Sequence, residues 1–245
     1  MFHGQVRIGH QSGGRPRVLF NLFYRMEKKV ESISDILTKA YFPVFKPFLD
    51  ELLEKYKRYL LRKPDDFITT NLKELIRLVG LLRTDNRDNI VKMMEFGFTA
   101  LNHLVLFLFI YLGNSELLTR IIEKHFDYLR ILEIIEPNQK PKEDFYFSNF
   151  IEIMKTVPTF PKVEKYFDKD LRNAIAHFDW GFDFGDPIII RGKKDILNPY
   201  VSYSENHKKK LFVLNLPNTQ PSLYDVVLGN LAFAKFFVGE LQMEK

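Results

Sequence analysis

Residues 170–181 read Asp-Leu-Arg-Asn-Ala-Ile-Ala-His-Phe-Asp-Trp-Gly, and this stretch decides both the fold and the candidate site. At about 100° per residue its apolar positions share one stripe with those just before it. The stripe holds Val163, Phe167, Leu171, Ala174, Ile175 and Phe178. This pattern predicts a helix near residues 160–179, with Pro161 in its first turn and Gly181 just beyond its end. Three polar side chains, Arg172, Asn173 and His177, lie off the stripe around the small Ala176, which leaves room for a ligand.

The chain before this stretch also has helical spacing. Apolar residues recur three and four positions apart, as in Leu117, Leu118, Ile121 and Ile122, which is typical of a helix with one buried face. Proline, glycine and asparagine interrupt the pattern at intervals. The segment Asn114-Ser115-Glu116 is an expected helix start. The predicted helices lie near residues 17–40, 44–62, 70–82, 88–112, 115–135, 144–156 and 160–179.

The pattern changes after residue 180. Pro187–Arg191 and Leu211–Leu214 are short β-branched or aromatic runs, and we expect them to pair as a small hairpin. Helical spacing returns from Pro221 and predicts a last helix over residues 222–243. The expected fold class is therefore mainly α: a helical bundle with a small β-hairpin before its last helix and extra N-terminal helices.

Composition excludes several classes of protein. The 245 residues are 46% hydrophobic and 27% charged, as expected for a globular chain with a sizeable core. The absence of cysteine excludes disulfide scaffolds, zinc fingers and cysteine nucleophiles. The net charge of +5 is a mild bias toward anionic partners.

We expect no export signal and no membrane span. Residues 1–16 contain no apolar run and are predicted to be a flexible tail, which favours a cytoplasmic location. The most apolar stretch, Phe98–Leu112, is shorter than the roughly 20 residues that cross a bilayer, so a buried core helix is expected there.

The segment Arg172-Asn173-Ala174-Ile175-Ala176-His177 resembles the signature of the HEPN superfamily. That signature is an arginine, four to six residues and a histidine at the end of the third helix of a four-helix bundle, and a polar residue often follows the arginine. The resemblance implies a bundle of helices 88–112, 115–135, 160–179 and 222–243, within residues 86–245. Residues 17–85 are then an N-terminal helical extension.

This resemblance implies a metal-independent endoribonuclease with a composite site at a homodimer interface and no cofactor. Arg172 and His177 would be catalytic and Asn173 would orient them. Histidine suits proton transfer near neutral pH, and the arginine fork suits a phosphate. A toxin or defence role with a cognate antitoxin or regulatory protein fits the family. In one toxin branch a tyrosine follows two positions after the histidine, whereas this chain has Asp179, so regulation through that tyrosine is not implied.

Three alternatives stay open at this point. The same surface could belong to a non-catalytic helical module that binds RNA or a protein partner. Arg120 and His125 have the same spacing as the signature, but that copy lacks the asparagine and is predicted to be a decoy. Six basic residues beside the expected hairpin are candidate RNA-backbone contacts, with a merely solvated loop as an equal alternative: Arg191, Lys193, Lys194, Lys208, Lys209 and Lys210.

Overall fold

The computed structural model describes the backbone of residues 15–61, 64–82, 98–138, 144–183, 187–190, 193–197, 199–213 and 221–243. Within these ranges there are seven α-helices: α1 (Arg15–Tyr56), α2 (Asp66–Leu82), α3 (Phe98–His125), α4 (Tyr128–Ile135), α5 (Phe147–Lys155), α6 (Lys169–His177) and α7 (Leu223–Met243). The strands are β1 (Trp180–Asp183), β2 (Pro187–Ile190), β3 (Lys193–Leu197), β4 (Tyr200–Tyr203) and β5 (Lys209–Phe212). The prediction of a mainly helical protein is confirmed, and in place of the expected single hairpin there are a small three-stranded antiparallel sheet and a separate two-stranded pair.

Helix α1 continues through Pro43 and Pro47, where the sequence predicted a break. Each proline removes one backbone N–H donor and costs about 3 kcal/mol in a helix interior. The surrounding turns bury Phe45, Phe48 and Leu49 completely or almost completely. This apolar burial offsets the cost, so the expected helices 17–40 and 44–62 are one helix.

Helix α3 likewise continues through Gly113-Asn114-Ser115, and the expected start of a new helix there is wrong. Asn114 is buried and donates from Nδ2 to the backbone O and Oδ1 of Asn230 in α7, at 2.9 and 2.6 Å. Its amide thus bonds another helix and does not cap its own. Helix α3 ends only at His125, and Asp127 then caps the short helix α4.

Helix α6 is shorter than the predicted helix 160–179. Two 3₁₀ turns, Phe160–Lys162 and Glu164–Tyr166, precede it, and it begins only after Asp168. Phe178 ends it in the left-handed region with φ 56°, the role expected of Gly181. Phe178 is consequently 74% exposed and not part of the buried stripe.

The predicted pairing of Pro187–Arg191 with Leu211–Leu214 is wrong. β2 pairs with β3, whereas β4 lies between β1 and β5 in a three-stranded antiparallel sheet. The register places Tyr203 opposite both Trp180 and Lys209. β1 follows directly after α6, so the end of that helix is attached to this sheet.

One hydrophobic core joins the helices from α1 to α7. Phe233 of α7 packs its ring against Phe45, Phe48, Phe150 and Phe167, at centroid distances of 5.0–6.3 Å. The N-terminal helices therefore share the core of the last helix. The expected domain boundary at residues 85 and 86 lies outside the described residues, as do positions 1–14 of the predicted tail, whereas Arg15 and Pro16 already belong to α1.

Two helical segments among the described residues are long and apolar enough to cross a membrane by length and composition: Leu104–His125 and Leu223–Met243. Phe98–Leu112 belongs to α3, which continues beyond the expected end at Gly113. In the most apolar stretch of 18 residues, 56% of the first segment and 72% of the second are buried inside the protein. Both segments thus contribute to the core described above.

Candidate functional site

Asp168 fixes the beginning of α6, the helix that carries the three predicted site residues. Its Oδ1 accepts the backbone N–H of Leu171 at 3.0 Å, which caps the helix. Its Oδ2 accepts the Tyr203 hydroxyl at 2.6 Å, and its backbone O accepts the Tyr111 hydroxyl at 3.1 Å. Burial, followed by the charge of Asp168, raises the pKa of Tyr203 above its usual value. The helix is therefore anchored to both β4 and α3.

We expect Asp168→Ala to lower the free energy of unfolding by about 2–4 kcal/mol, because the cap and the partner of a buried tyrosine hydroxyl are lost together. Urea denaturation measures this change. Asp65→Ala is the matched control, because Asp65 caps α2 through the Ile68 N–H at 3.0 Å and is exposed. The control should cost about 1 kcal/mol. Equal losses in the two variants would contradict the anchoring role of Asp168.

Arg172 is held in place by partners on two sides. Its Nε donates to Glu116 Oε1 at 3.1 Å, and Nη2 makes a second, shorter bond to the same oxygen. Its Nη1 donates to Asn173 Oδ1 at 3.0 Å. The side chain is 19% exposed. Glu116 belongs to α3, and sequence analysis missed it as a partner because 56 residues separate it from Arg172.

His177 is exposed at the end of α6 and lines a small cleft of about 180 Å³. The cleft is lined by Asp170, Asn173, Ala174, His177, Asp179, Ser204 and Glu205. Asn173 and His177 are i and i+4 neighbours, which explains why they face one space. Arg172 is not among the lining residues and lies about 140° from His177 around the helix. The structure therefore brings Asn173 and His177 together in the cleft and places Arg172 beside them, against α3.

Two of the cleft's carboxylates have basic side chains as partners. Lys209 Nζ lies 2.7 Å from Asp170 Oδ2, and His207 Nε2 lies 3.5 Å from Asp179 Oδ1. The hydrogen bond to Asp170 is the main cause that raises the pKa of Lys209 above its usual value. Lys209 therefore stays charged at neutral pH, and its ammonium contacts a carboxylate of the protein.

The other residues predicted to contact RNA lie in different environments. Lys210 lies over the Tyr200 ring, 4.7 Å from its centroid, and Lys208 is exposed. Arg191 lies outside the described residues. Lys193 and Lys194 belong to β3, but their side chains are outside the described part of the chain.

His207 is held in a loop with unusual backbone geometry. Ser204, Asn206 and His207 all have positive φ, at 70°, 58° and 53°, a conformation that non-glycine residues rarely adopt. His207 Nδ1 lies 3.0 Å from Ser202 Oγ. A Cβ at Gly181 would be 3.0 Å from both of these atoms, so a larger residue there would require the two side chains to move by a few tenths of an ångström.

In the sequence, His207 directly precedes three lysines, and nothing there indicates its contact with Asp179. That contact depends on the pairing of β4 with β1 and β5, which the sequence did not predict. Ser204 and Glu205 were missed for the same reason. Strained backbone geometry of this kind is often found at functional sites.

The second Arg-x₄-His segment, Arg120 to His125, does not form a comparable site. His125 is completely buried, and Arg120 lies over the Phe67 ring, 5.9 Å from its centroid. His125 thus has no surface from which to meet a substrate. Among the described residues no group of three or more His, Asp and Glu side chains has an arrangement that could hold a metal ion.

No protein-family model, no curated protein and no solved structure matches this chain. The chemistry of the site lies in three groups: an exposed imidazole, a neighbouring amide and a guanidinium bonded to a carboxylate.

Proposed function

We propose that this chain is a metal-independent endoribonuclease of HEPN type. The observation that carries the proposal is the exposure of His177 beside Asn173 in a cleft, five residues after an arginine that is already oriented. An exposed histidine at a helix C-terminus is well suited to proton transfer near neutral pH. We place this activity in the cytoplasm, as the sequence predicted.

The reaction needs one proton to be removed and one to be supplied. A base takes the proton of an RNA 2′-hydroxyl, the 2′-oxygen attacks the adjacent phosphorus, and the bond to the 5′-oxygen breaks as that oxygen receives a proton. The products are a 2′,3′-cyclic phosphate and a free 5′-hydroxyl. We assign proton transfer to His177, stabilisation of phosphate charge to Arg172, and orientation of Arg172 to Asn173.

A second copy of the chain would supply the second imidazole. Within one chain His177 and Arg172 lie about 140° apart around α6, so one phosphate cannot readily face both from the same side of the helix. Two α6 helices that meet across a two-fold axis would place two histidines and two arginines at one site. For the HEPN-like bundle we propose α3 as the central helix, because α5, α6 and α7 all pack on it.

The test is RNA cleavage by purified protein in EDTA. We expect single-stranded RNA to be cut with 2′,3′-cyclic phosphate ends, and a 2′-deoxy copy of the same oligonucleotide to remain intact because it lacks the nucleophile. Arg172→Ala should lower the rate by roughly 100-fold or more, as expected when a donor to transition-state charge is removed. Arg172→Lys keeps the charge without the fork and should be intermediate.

Three results would contradict the proposal: no cleavage of any RNA, cleavage that requires added metal, or cleavage of the 2′-deoxy oligonucleotide. Melting curves of the arginine variants serve as the control, because removal of the guanidinium leaves Glu116 without this partner. A variant that melts at the wild-type temperature but does not cut RNA supports the assignment.

The alternative is a non-catalytic helical module, and one observation favours it. Three carboxylates, those of Asp170, Asp179 and Glu205, line the cleft, and a fourth from Glu116 holds Arg172. Such a surface suits a protein partner with basic residues. Retained RNA or partner binding without cleavage would select this function.

A further inference from the structure

The charge of the cleft has to be reconciled with an anionic substrate. Three carboxylates line the space next to His177, and the phosphate of RNA is itself negative. Like charges within about 10 Å repel one another appreciably in a partly desolvated site. A phosphate therefore binds more tightly in this cleft when part of the negative charge is compensated.

Basic side chains contact two of the three carboxylates, and both come from one short segment. Lys209 contacts Asp170 at 2.7 Å and His207 contacts Asp179 at 3.5 Å. The two residues lie at the β4–β5 connection and the start of β5. We call His207 and Lys209 the cation pair, in which the imidazole carries a charge only when it is protonated.

The sheet places the cation pair beside α6. Lys209 is in register with Tyr203 across the β4–β5 ladder, and the hydroxyl of Tyr203 bonds Asp168 at the beginning of α6. His207 Nδ1 lies 3.0 Å from Ser202 Oγ, and its ring packs next to Gly181. Both side chains therefore lie next to the carboxylates that they contact, Asp170 in α6 and Asp179 just after its end.

We propose that the cation pair makes the cleft able to receive a phosphate group, because Lys209 neutralises Asp170 and His207, when protonated, neutralises Asp179. Lys209 and His207 are positioning residues in this proposal, because they act through the two carboxylates and do not touch the substrate. The inference rests on the proposed ribonuclease function and adds to it the source of the cleft's charge balance. It also gives Lys209 a role different from the direct RNA contact predicted from the sequence.

A charge-compensation experiment with inorganic phosphate tests the proposal. Phosphate is titrated into the full-length protein while NMR follows the His177 imidazole and the Asn173 side-chain amide. Lys209→Ala leaves Asp170 uncompensated and should weaken phosphate binding roughly fivefold. The double variant Lys209→Ala/Asp170→Asn removes both charges and should regain wild-type affinity within about twofold.

Lys169→Ala is the matched control, because Lys169 is exposed on α6 and does not line the cleft. It removes the same charge and should change the affinity less than about twofold. The pair His207→Ala and His207→Ala/Asp179→Asn should repeat the loss and the recovery at about pH 5.5, where an ordinary imidazole is protonated. All of these side chains are partly exposed, so the variants are expected to fold.

Two results would overturn the proposal. A double variant that binds phosphate as weakly as Lys209→Ala would mean that Lys209 contacts the anion directly. Phosphate that leaves the wild-type His177 and Asn173 signals unchanged would mean that the cleft does not receive an anion. Phosphate binding that is lost and recovered as described, in a protein that cuts no RNA in EDTA, would support the cation pair and reject the ribonuclease, so the two failures are distinguishable.

Discussion

Alanine in place of His177 is expected to lower the rate of RNA cleavage roughly 100- to 10,000-fold, the range by which a general acid or base accelerates a reaction. The loss should appear in the rate at saturating RNA, because the imidazole transfers a proton and other groups supply most of the binding. His177 is exposed and its side chain packs in no core cluster, so the melting temperature should stay close to that of the wild type. Single-turnover cleavage in EDTA and a melting curve measure the two quantities.

Lys169→Ala is the control for this prediction. Lys169 is also exposed on α6, at the opposite end from His177, and does not line the cleft. Its removal takes a charge from the same helix and should change the rate less than about threefold. A His177→Ala protein that cleaves within threefold of the wild type would show that the assignment of His177 as the proton-transfer group is wrong.

Alanine in place of Gly229 is expected to lower the free energy of unfolding by about 3 kcal/mol or more. A Cβ at this position in α7 would lie 2.7 Å from Tyr166 Cγ and closer still to two other ring carbons. Tyr166 is buried, and its ring is enclosed on other sides by Tyr41 and Phe45, with centroid distances of 5.7 and 5.2 Å. The ring therefore has no space into which it can move, and the helix would have to separate from the core.

Gly239→Ala is the matched control, since it makes the same substitution in the same helix. A Cβ at Gly239 has no neighbour within 4 Å. This variant should gain about 0.5–1 kcal/mol from the higher helix propensity of alanine. Chemical denaturation of both variants separates the effect of the overlap from that of propensity, and equal stabilities would contradict the packing around Tyr166.

The helical class and the C-terminal helix were predictable because their signal is local. The apolar residues of α7 recur with helical spacing, and Ser222 Oγ accepts the Asp225 N–H at 3.1 Å at its beginning, where the sequence pattern starts. Breaks at Pro43 and Gly113 were predicted from equally local rules and are wrong, because burial against other helices outweighs the local cost. Those partners, such as Asn230 for Asn114, are more than 100 residues away in the chain.

The site was predictable only in part, for a related reason. Arg172, Asn173 and His177 share one helix, so their mutual placement follows from helical geometry. Glu116, His207 and Lys209 come close to these residues only through tertiary contacts. For His207 and Lys209 those contacts depend on a sheet whose strands β1 and β4 showed no recognised pattern in the sequence. The left-handed backbone of Phe178 was also unexpected, because a glycine three positions later offered a more usual helix end.

The packing of α1 against α7 has a consequence for how the chain is made. The Tyr41 hydroxyl of α1 donates to Asp225 Oδ1 of α7 at 2.6 Å, across 184 residues, and Phe233 of α7 packs against Phe45 of α1. During synthesis on the ribosome the apolar face of α1 emerges long before its cover does. The native core cannot form until α7 has left the exit tunnel, so folding is completed late and the nascent chain exposes an aggregation-prone surface in the meantime. A chaperone that recognises apolar surface would have a binding site on α1 during this interval.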